Sequence, residues 1–404
     1  MGAQIMKPRV LVLTKLFWPE GSGGELATYL IIKNILSKHF DVFIVSGTRK
    51  PIADVLRLAK YVYWSVLETK YKPIEWLKLF VNTHWLRKLI EGADVVYIPS
   101  HTLIPMAVVA KHLKPKVKVV LHLHNYQVLT FTSVVLAGRR PDVATDIIVE
   151  YEEHESLARA LMAGIGHYVN YVNRYALKYV DRVICVSERQ CEIILKYLPK
   201  LRDRTIVVYN PLPPFLNVDK RITNEPALVY ASGDSYIKGF HVLIQAALNI
   251  SKQGDSVEFL LTGGRRLNSR REQLMERLNG ALKGKFKLLG FLPYDDVLKL
   301  YSKSHAVLVP SIWEEPLPYV VMEAMAMGTL PIASRIGGIP EIVEGTFAEK
   351  MLFTPSNVNE LVDRIEYVLL LSKDQFMEIG FNLRKGVLRR FNVNIIGRQL
   401  LKVF

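Results

Sequence analysis

Cysteine is nearly absent: Cys185 and Cys191 are the only two in 404 residues. Two thiols cannot staple a chain of this size, and they lack zinc-site spacing, so a reduced, cytosolic setting is expected. Long apolar runs are missing as well. No stretch approaches the roughly 20 uninterrupted apolar residues that a membrane-spanning helix needs. The first apolar run, Val10–Leu13, stops before Lys15 with no small-residue cleavage site after it, and reads as a buried strand rather than a signal peptide. Met6 stands where a myristoylation signal wants Ser or Thr. Tandem repeats with a period of about 20–50 residues are absent. Acids are scarce too: 38 Asp and Glu stand against 53 Lys and Arg, a net charge of +15. That excess points to a polyanionic partner, whether nucleic acid, acidic lipid or a phosphorylated substrate.

What is present is a globular composition, half of it hydrophobic, long enough for two domains at about 100–200 residues each. Short apolar runs alternate with helix-periodic segments. Arg9–Thr14, Asp41–Ser46, Asp94–Pro99 and Lys118–His122 read as strands buried on both faces, with helices at Glu25–Lys38 and Leu103–His112. Arg182–Ser187 and Thr205–Tyr209 read as the last strands of this half. The run Asn210-Pro211-Leu212-Pro213-Pro214 then breaks any regular element and serves as a stiff linker. After it the alternation restarts. Strands are expected at Ala227–Ala231, Val257–Thr262, Lys285–Leu289, Ala306–Val309 and Leu330–Ser334, and helices at His241–Lys252, Arg271–Leu282, Asp295–Ser304 and Tyr319–Met327. The expected architecture is α/β: two Rossmann-like, doubly wound domains, 1–210 and 211–385, facing each other across a cleft. Residues 386–404 are expected to form a helix packing back on the first domain.

One insertion is unusual. Arg49–Lys88 carries nine basic residues and three acids, threaded with Tyr61, Tyr63, Trp64, Tyr71, Trp76, Phe80 and Trp85. Cations interleaved with Trp and Tyr suit a lipid headgroup zone. A helical pair with core aromatics and solvated lysines fits equally well. Gly264-Arg265-Arg266, Arg270-Arg271 and Lys283–Lys287 read as solvated basic loops.

Four segments carry chemistry. In Pro310-Ser311-Ile312-Trp313-Glu314-Glu315-Pro316-Leu317-Pro318-Tyr319 a strand gives way to a loop holding Glu315, and Pro318 can open a helix. The N–H groups of Tyr319, Val320 and Val321 would then form an anion site suited to a diphosphate, with Glu323 in the second turn. Phe17-Trp18-Pro19-Glu20-Gly21-Ser22-Gly23-Gly24-Glu25 follows the first strand, and its glycines allow close backbone approach to a phosphate. His122-Leu123-His124-Asn125 ends the fourth strand with both histidines on one face. No Cys or carboxylate lies nearby at ligand spacing, so no metal is assigned there. Ala231-Ser232-Gly233-Asp234-Ser235-Tyr236-Ile237-Lys238-Gly239 ends the first strand of the second half, and Lys238 is placed to neutralise a diphosphate. Ser187-Glu188 reads as a helix cap.

The pattern P-S-x-x-E-E-P-x-x-x-V-x-x-E-A-M-A-x-G, followed by Ile336-Gly337-Gly338-Ile339-Pro340-Glu341, resembles the C-terminal half of family 4 glycosyltransferases. Those are retaining, nucleotide-sugar-dependent enzymes of the GT-B fold, and F-x-P-x-x-G-G-x-E looks like their N-terminal signature. The resemblance implies roles for particular residues. Glu315 would hold hydroxyls of the donor sugar and Glu323 the ribose; Lys238 would neutralise the departing diphosphate. Gly23, Gly24, Leu317, Tyr319 and Val320 would line the donor. His124 would contact the transferred sugar, with His122 and Asn125 on the acceptor side. Glu341 would be largely structural. Two positions depart from the pattern: Ser232 stands where the family usually has Arg, and Pro318 replaces a glycine.

The activity implied is sugar transfer from a nucleoside diphosphate-sugar with retention, by front-face attack and with no metal or other cofactor. The basic-aromatic insertion favours a lipid-linked saccharide or anionic lipid at the cytoplasmic membrane face. The alternatives are a sugar synthase with a soluble acceptor and a catalytically weakened nucleotide-sugar-binding partner. Nucleic acid is disfavoured, since no RNA- or DNA-binding motif is present.

Overall fold

The computed structural model describes residues 7–69, 72–213, 220–223, 225–252, 257–263, 277–280 and 285–404. The first domain holds β1 (Arg9–Thr14), β2 (Asp41–Ser46), β3 (Lys60–Tyr63), β4 (Val95–Ile98), β5 (Lys118–Leu123), β6 (Arg182–Cys185) and β7 (Thr205–Val207). They form a parallel sheet in the order β3-β2-β1-β4-β5-β6-β7. Its register sets Val10 of β1 between Val42 and Val95 on one face and Leu11 between Phe43 and Val96 on the other, so apolar residues fill both faces. The second domain holds β8 (Ala227–Tyr230), β9 (Glu258–Thr262), β10 (Phe286–Gly290), β11 (Ala306–Val309), β12 (Leu330–Ser334) and β13 (Leu352–Phe353), in the order β10-β9-β8-β11-β12-β13. Both are doubly wound sheets, and the chain order reverses between β1 and β4 and between β8 and β11. Those two switch points open the crevices where such sheets bind ligands. Three of the chemistry-bearing segments leave from strands beside them: the glycine loop from β1, the Lys238 loop from β8 and the Glu315 loop from β11.

The insertion contains the helical pair entertained above and adds a strand to it. It contributes an edge strand, β3, paired in parallel with β2, then two helices, Lys72–Val81 and Thr83–Glu91. The run Tyr61-Val62-Tyr63 is β-branched and aromatic enough to take the open sheet edge. Its aromatics divide. Trp76 is buried and donates from Nε1 to the Thr102 carbonyl at 2.7 Å, and Trp64 stacks on Trp85 at 5.0 Å. Phe80, by contrast, faces water, as do the aliphatic Leu77 and Val81. β13 was not expected either; two residues are too few to leave a periodic signal. Arg271–Leu282 and the basic loops at 264–266, 270–271 and 283–284 lie outside the described residues, apart from 277–280, which are helical.

The C-terminus returns to the first domain later than residue 386. The helix Lys373–Arg390 stays on the second domain, where Arg390 donates to the carbonyls of Glu341, Ile342 and Glu344. The crossing is made by Val393–Leu401. Gly397 lies against Ile35, and Phe404 packs on Phe40 at 5.7 Å and Tyr97 at 5.2 Å. Among the described residues no helix is long and apolar enough to cross a membrane.

Within Lys373–Arg390, Gly380 is pressed against Gly328, whose carbonyl oxygen a Cβ at position 380 would overlap. Alanine normally stabilises a helix interior by about 1 kcal/mol over glycine, but overpacking of this kind costs about 1–3 kcal/mol. Gly380→Ala is therefore expected to lower stability by up to about 2 kcal/mol in denaturant titration, opposite in sign to its helix propensity. A stabilised variant would show that the helix moves freely away from Gly328.

Candidate functional site

The glycine loop begins the site. Ser22 caps the helix Gly23–Ile31, and Glu25 accepts from the Ser22 N–H at 2.7 Å. Gly21 has φ of +97°, and a Cβ there would run into the Glu25 carboxylate. The next glycines face two ways. A Cβ at Gly24 would sit 3.2 Å from Cβ of His124, and one at Gly23 would sit 3.1 Å from the Tyr319 ring of the other domain. The glycine loop, the end of β5 and the start of the helix Tyr319–Ala326 thus meet at one point. Tyr319 also donates from its hydroxyl to the Pro211 carbonyl of the linker at 2.9 Å.

His122 and His124 do share a face: their rings lie 4.3 Å apart. His122 is the inner one, 1% exposed, with Nδ1 sharing a 2.7 Å hydrogen bond with Tyr97 Oη. Both ring nitrogens of His124 lack a partner among the described residues. Burial holds His124 down to about 4 and His122 well below its ordinary value, so both are neutral at physiological pH. Asn125 turns the chain away, its Oδ1 accepting from the Gln127 N–H at 3.0 Å.

On the second domain, Glu315 is 2% exposed. Its Oε1 accepts from Lys238 Nζ at 2.7 Å and from Ser311 Oγ at 2.7 Å. Lys238 also lies over the Trp313 ring, 5.2 Å from its centre. A left-handed Gly239, with φ of +76°, lets this loop close on Pro310, whose carbonyl a Cβ would overlap. Pro318 proves to be the helix N-cap, with ψ of 122°, rather than the first helical residue. The Val321 N–H is taken by the Pro318 carbonyl at 3.3 Å, so it is not among the free donors expected above. The N–H groups of Tyr319 and Val320 find no acceptor among the described residues, as the first turn of a helix leaves them. Leu317 is buried in the loop. No described arginine donates to the segment Ser232–Gly239, though Arg139 acts electrostatically on Tyr236 within it.

Glu323 is buried and accepts from the Tyr294 hydroxyl at 2.7 Å. Burial raises its carboxyl to about 7. Tyr294 in turn meets Trp18 of the glycine loop edge-on at 5.5 Å.

Sequence reasoning missed how the halves are joined. Tyr294 and Trp18 are one joining pair. Arg189 grips Glu314 with two bonds, Nη2 at 2.8 Å and Nε at 3.2 Å. Glu341 accepts from the N–H groups of Glu188 and Arg189, both at 2.9 Å, capping a first-domain helix from the second domain. Ser187 caps the same helix through Gln190. Glu153 reaches into the Lys238 loop, accepting from Ser235 Oγ at 2.7 Å and the Ile237 N–H at 3.0 Å. Its carboxylate occupies donors suited to an anion. Lys15, Lys72 and His124 together depress His101, after burial, the main cause. Trp18, Glu314, Glu341 and Ser187-Glu188 stood inside quoted motifs; Tyr294, Arg189 and Glu153 carry no local signal. Among the described residues no three His, Cys, Asp or Glu side chains assemble into a metal-holding group. A groove of about 860 Å³ near Phe347 and Arg389 contains none of these residues.

Two family models match successive parts of the chain: Glycosyltransferase Family 4 over residues 21–214 and Glycosyl transferases group 1 over residues 216–379. The chain belongs to the family 4, group 1 glycosyltransferases. An uncharacterized glycosyltransferase of Methanocaldococcus jannaschii is 26% identical over 57% of this chain and 62% of its own length, so the match spans less than two thirds of that relative. Sucrose-phosphate synthase from Thermosynechococcus elongatus superposes with a TM-score of 0.72 at 18% identity, covering 98% of each chain. Anabaena HepE in complex with UDP-glucose does so with 0.67 at 18% identity, again over 98% of each. These structures establish the GT-B architecture of this glycosyltransferase.

The Glu323 carboxyl titrates near 7 in the folded glycosyltransferase against an ordinary 4.5. The folded chain therefore holds an extra proton between those values, and stability falls as pH rises through that window, by at most about 3 kcal/mol. His122 and His124 work oppositely, removing stability as pH falls below their ordinary range. Glu323→Gln keeps an acceptor for Tyr294 and removes only the first effect. Melting curves against pH should show the variant gaining on the wild type between pH 4.5 and 7; parallel profiles would mean Glu323 is ionised throughout.

Proposed function

We propose that this glycosyltransferase moves a sugar from a nucleoside diphosphate-sugar to a hydroxyl of a lipid-linked saccharide at the cytoplasmic face of a membrane, with retention at the anomeric carbon. One observation carries the donor assignment: the Lys238–Glu315 pair and the free N–H groups of Tyr319 and Val320 lie on the wall that faces Gly23, Gly24 and His124. Cations and N–H groups suit the diphosphate, and the flanking carboxylates of Glu315 and Glu323 suit hydroxyls on either side of it.

In the reaction the bond between the anomeric carbon and the phosphate oxygen breaks, and its electron pair leaves with the diphosphate. Lys238 and the helix start stabilise that charge. The acceptor oxygen attacks from the same face and gives its proton to the departing phosphate oxygen, so no side chain need act as nucleophile. Neutral His124, with two unpaired ring nitrogens, binds hydroxyls of the transferred sugar without adding charge. Glu315 positions that sugar while holding the Lys238 ammonium in place. Protein groups carry the diphosphate charge, and no metal is invoked.

A second reading, a catalytically weakened nucleotide-sugar-binding protein, draws on Ser232 and on Glu153 lying in the Lys238 loop. Turnover of UDP-, GDP- and ADP-sugars separates the two. Under the transfer reading one donor is consumed, and Lys238→Ala or Glu315→Ala lowers that rate at least about 100-fold with the fold intact, the scale of losing an electrostatic stabiliser. Wild-type rates in both variants would overturn the assignment. Saturable nucleotide binding with no turnover of any donor would favour the second reading.

A further inference from the structure

From Ser156 to Val180 the chain contains no acidic residue, and its lysines and arginines there are Arg159, Arg174 and Lys178. The helices Leu157–Val169 and Tyr171–Ala176 in this stretch are inside out. Their inward face is small or polar, with Ala160, Ala163, Gly164, Gly166, Asn170 and Asn173 buried. Their outward face is large and apolar: Leu157, Leu161, Ile165, Tyr168, Val172 and Tyr175 recur at helical spacing. Leu161 and Ile165 are 65% and 69% exposed. A water-facing helix normally shows the reverse, and contiguous apolar surface of this kind marks an interaction site. Arg174 lies over the Tyr171 ring at 5.1 Å and Lys178 over Tyr175 at 5.0 Å, the pairing of aromatic and cation found at membrane interfaces.

A second face adjoins the first. The helix Lys72–Val81 exposes Ile74, Leu77 and Val81 beside Lys78, and its acid, Glu75, is turned inward onto Lys15 at 2.9 Å. The two faces are joined through Phe131, whose ring lies under Lys72 at 4.3 Å and fills the space above Gly166. Gln127 bonds to both Lys72 and Asn170, at 2.7 Å and 3.2 Å. Gln127 and Phe131 belong to the loop that begins directly after His124. The apolar surface therefore flanks the acceptor side of the cleft.

We propose that these two helix faces form a docking surface for an anionic lipid bilayer. Apolar side chains enter the acyl boundary, tyrosines lie at headgroup level, and Lys178 and Lys78 meet lipid phosphates, while Arg174 is held by the Val128 and Leu129 carbonyls. A second copy of the chain fits worse. A two-fold contact would set cations against cations with no acid between Ser156 and Val180 to pair them. The acids Glu150, Glu152 and Glu155 bound the surface at one end, and Glu150 is already bonded to Arg159 at 2.7 Å. The inference rests on the reading of a membrane-borne acceptor, but vesicle binding tests it without any sugar transfer.

The experiment is flotation of the full chain with phosphatidylcholine vesicles, with or without about 30% phosphatidylglycerol, at low and high salt. The wild type should float with anionic vesicles and about tenfold less with neutral ones, and high salt should weaken the association. The double variant Leu161→Gln, Ile165→Gln replaces side chains that bury little in the fold, and should lose at least about tenfold in binding with its melting curve unchanged. Lys178→Glu should weaken binding to anionic vesicles only. Leu370→Gln, at an 84% exposed position on the other domain, is the control and should float like the wild type. A wild type that stays unbound overturns the proposal, as does a double variant that floats normally. So does a wild-type dimer in sedimentation that the double variant converts to monomer with no vesicle recruitment. Donor turnover that persists in an unbound double variant supports docking as a separate device. Vesicle binding with no donor turnover in any form would instead count against sugar transfer.

Discussion

The site exists only because two domains are held face to face. Each sheet ends in loops that cannot by themselves enclose a ligand, and the closure is made by a few charged contacts across the gap. Arg189 meets Glu314 in a two-bond grip that fixes orientation as well as distance. Glu314 is buried and Arg189 half-exposed, so the pair is worth less than the about 3–5 kcal/mol lost on breaking a fully buried one. A backbone bridge reinforces it: the Ala137 N–H donates to the Ile312 carbonyl at 2.9 Å, and the Glu314 N–H to the Val135 carbonyl at 2.8 Å. The loop that carries Glu315 is therefore tied at its root to the opposite domain.

This tie explains why the chemistry-bearing side chains come preset. Lys238, Ser311 and Glu315 form one hydrogen-bonded cluster, and Trp313, whose ring underlies Lys238, sits in the strand-like bridge to Leu136. A change in the angle between domains would move Trp313 and with it the ammonium. Glu323 is tied by a longer route, through Tyr294 to Trp18. Both carboxylates, Glu315 and Glu323, are thus coupled to the first domain. The ring nitrogens of His124, left without partners among the described residues, lie on the wall opposite. Buried polar groups are ordinarily satisfied, and those that are not mark a place meant for something else.

Much of the fold was legible in the residues. Val10–Leu13, Val95–Ile98 and Ala306–Val309 are apolar on both faces because helices cover both sides of a parallel sheet, and that condition leaves an unmistakable pattern. The linker was legible because proline forbids continuation. β3 was not, since an edge strand needs only one partner and its lysine and tyrosines also suit a helix. The return of a C-terminal helix to the first domain was expected, but not that Val393–Leu401 alone makes the crossing, because periodicity marks an apolar face without saying which neighbour it meets.

The site divides in the same way. Sequence alone determined the residue types, the order of the loops and the eight-residue interval between Glu315 and Glu323, since these are properties of one continuous chain. Tertiary structure alone decided that Gly23 faces Tyr319, that Glu341 caps a helix of the other domain, and that Glu153 reaches the Lys238 loop. Such pairs are separated by many residues, and their meeting depends on how two sheets are oriented across a gap. Local spacing carries no information about that angle; it is set by the sum of contacts over the whole interface.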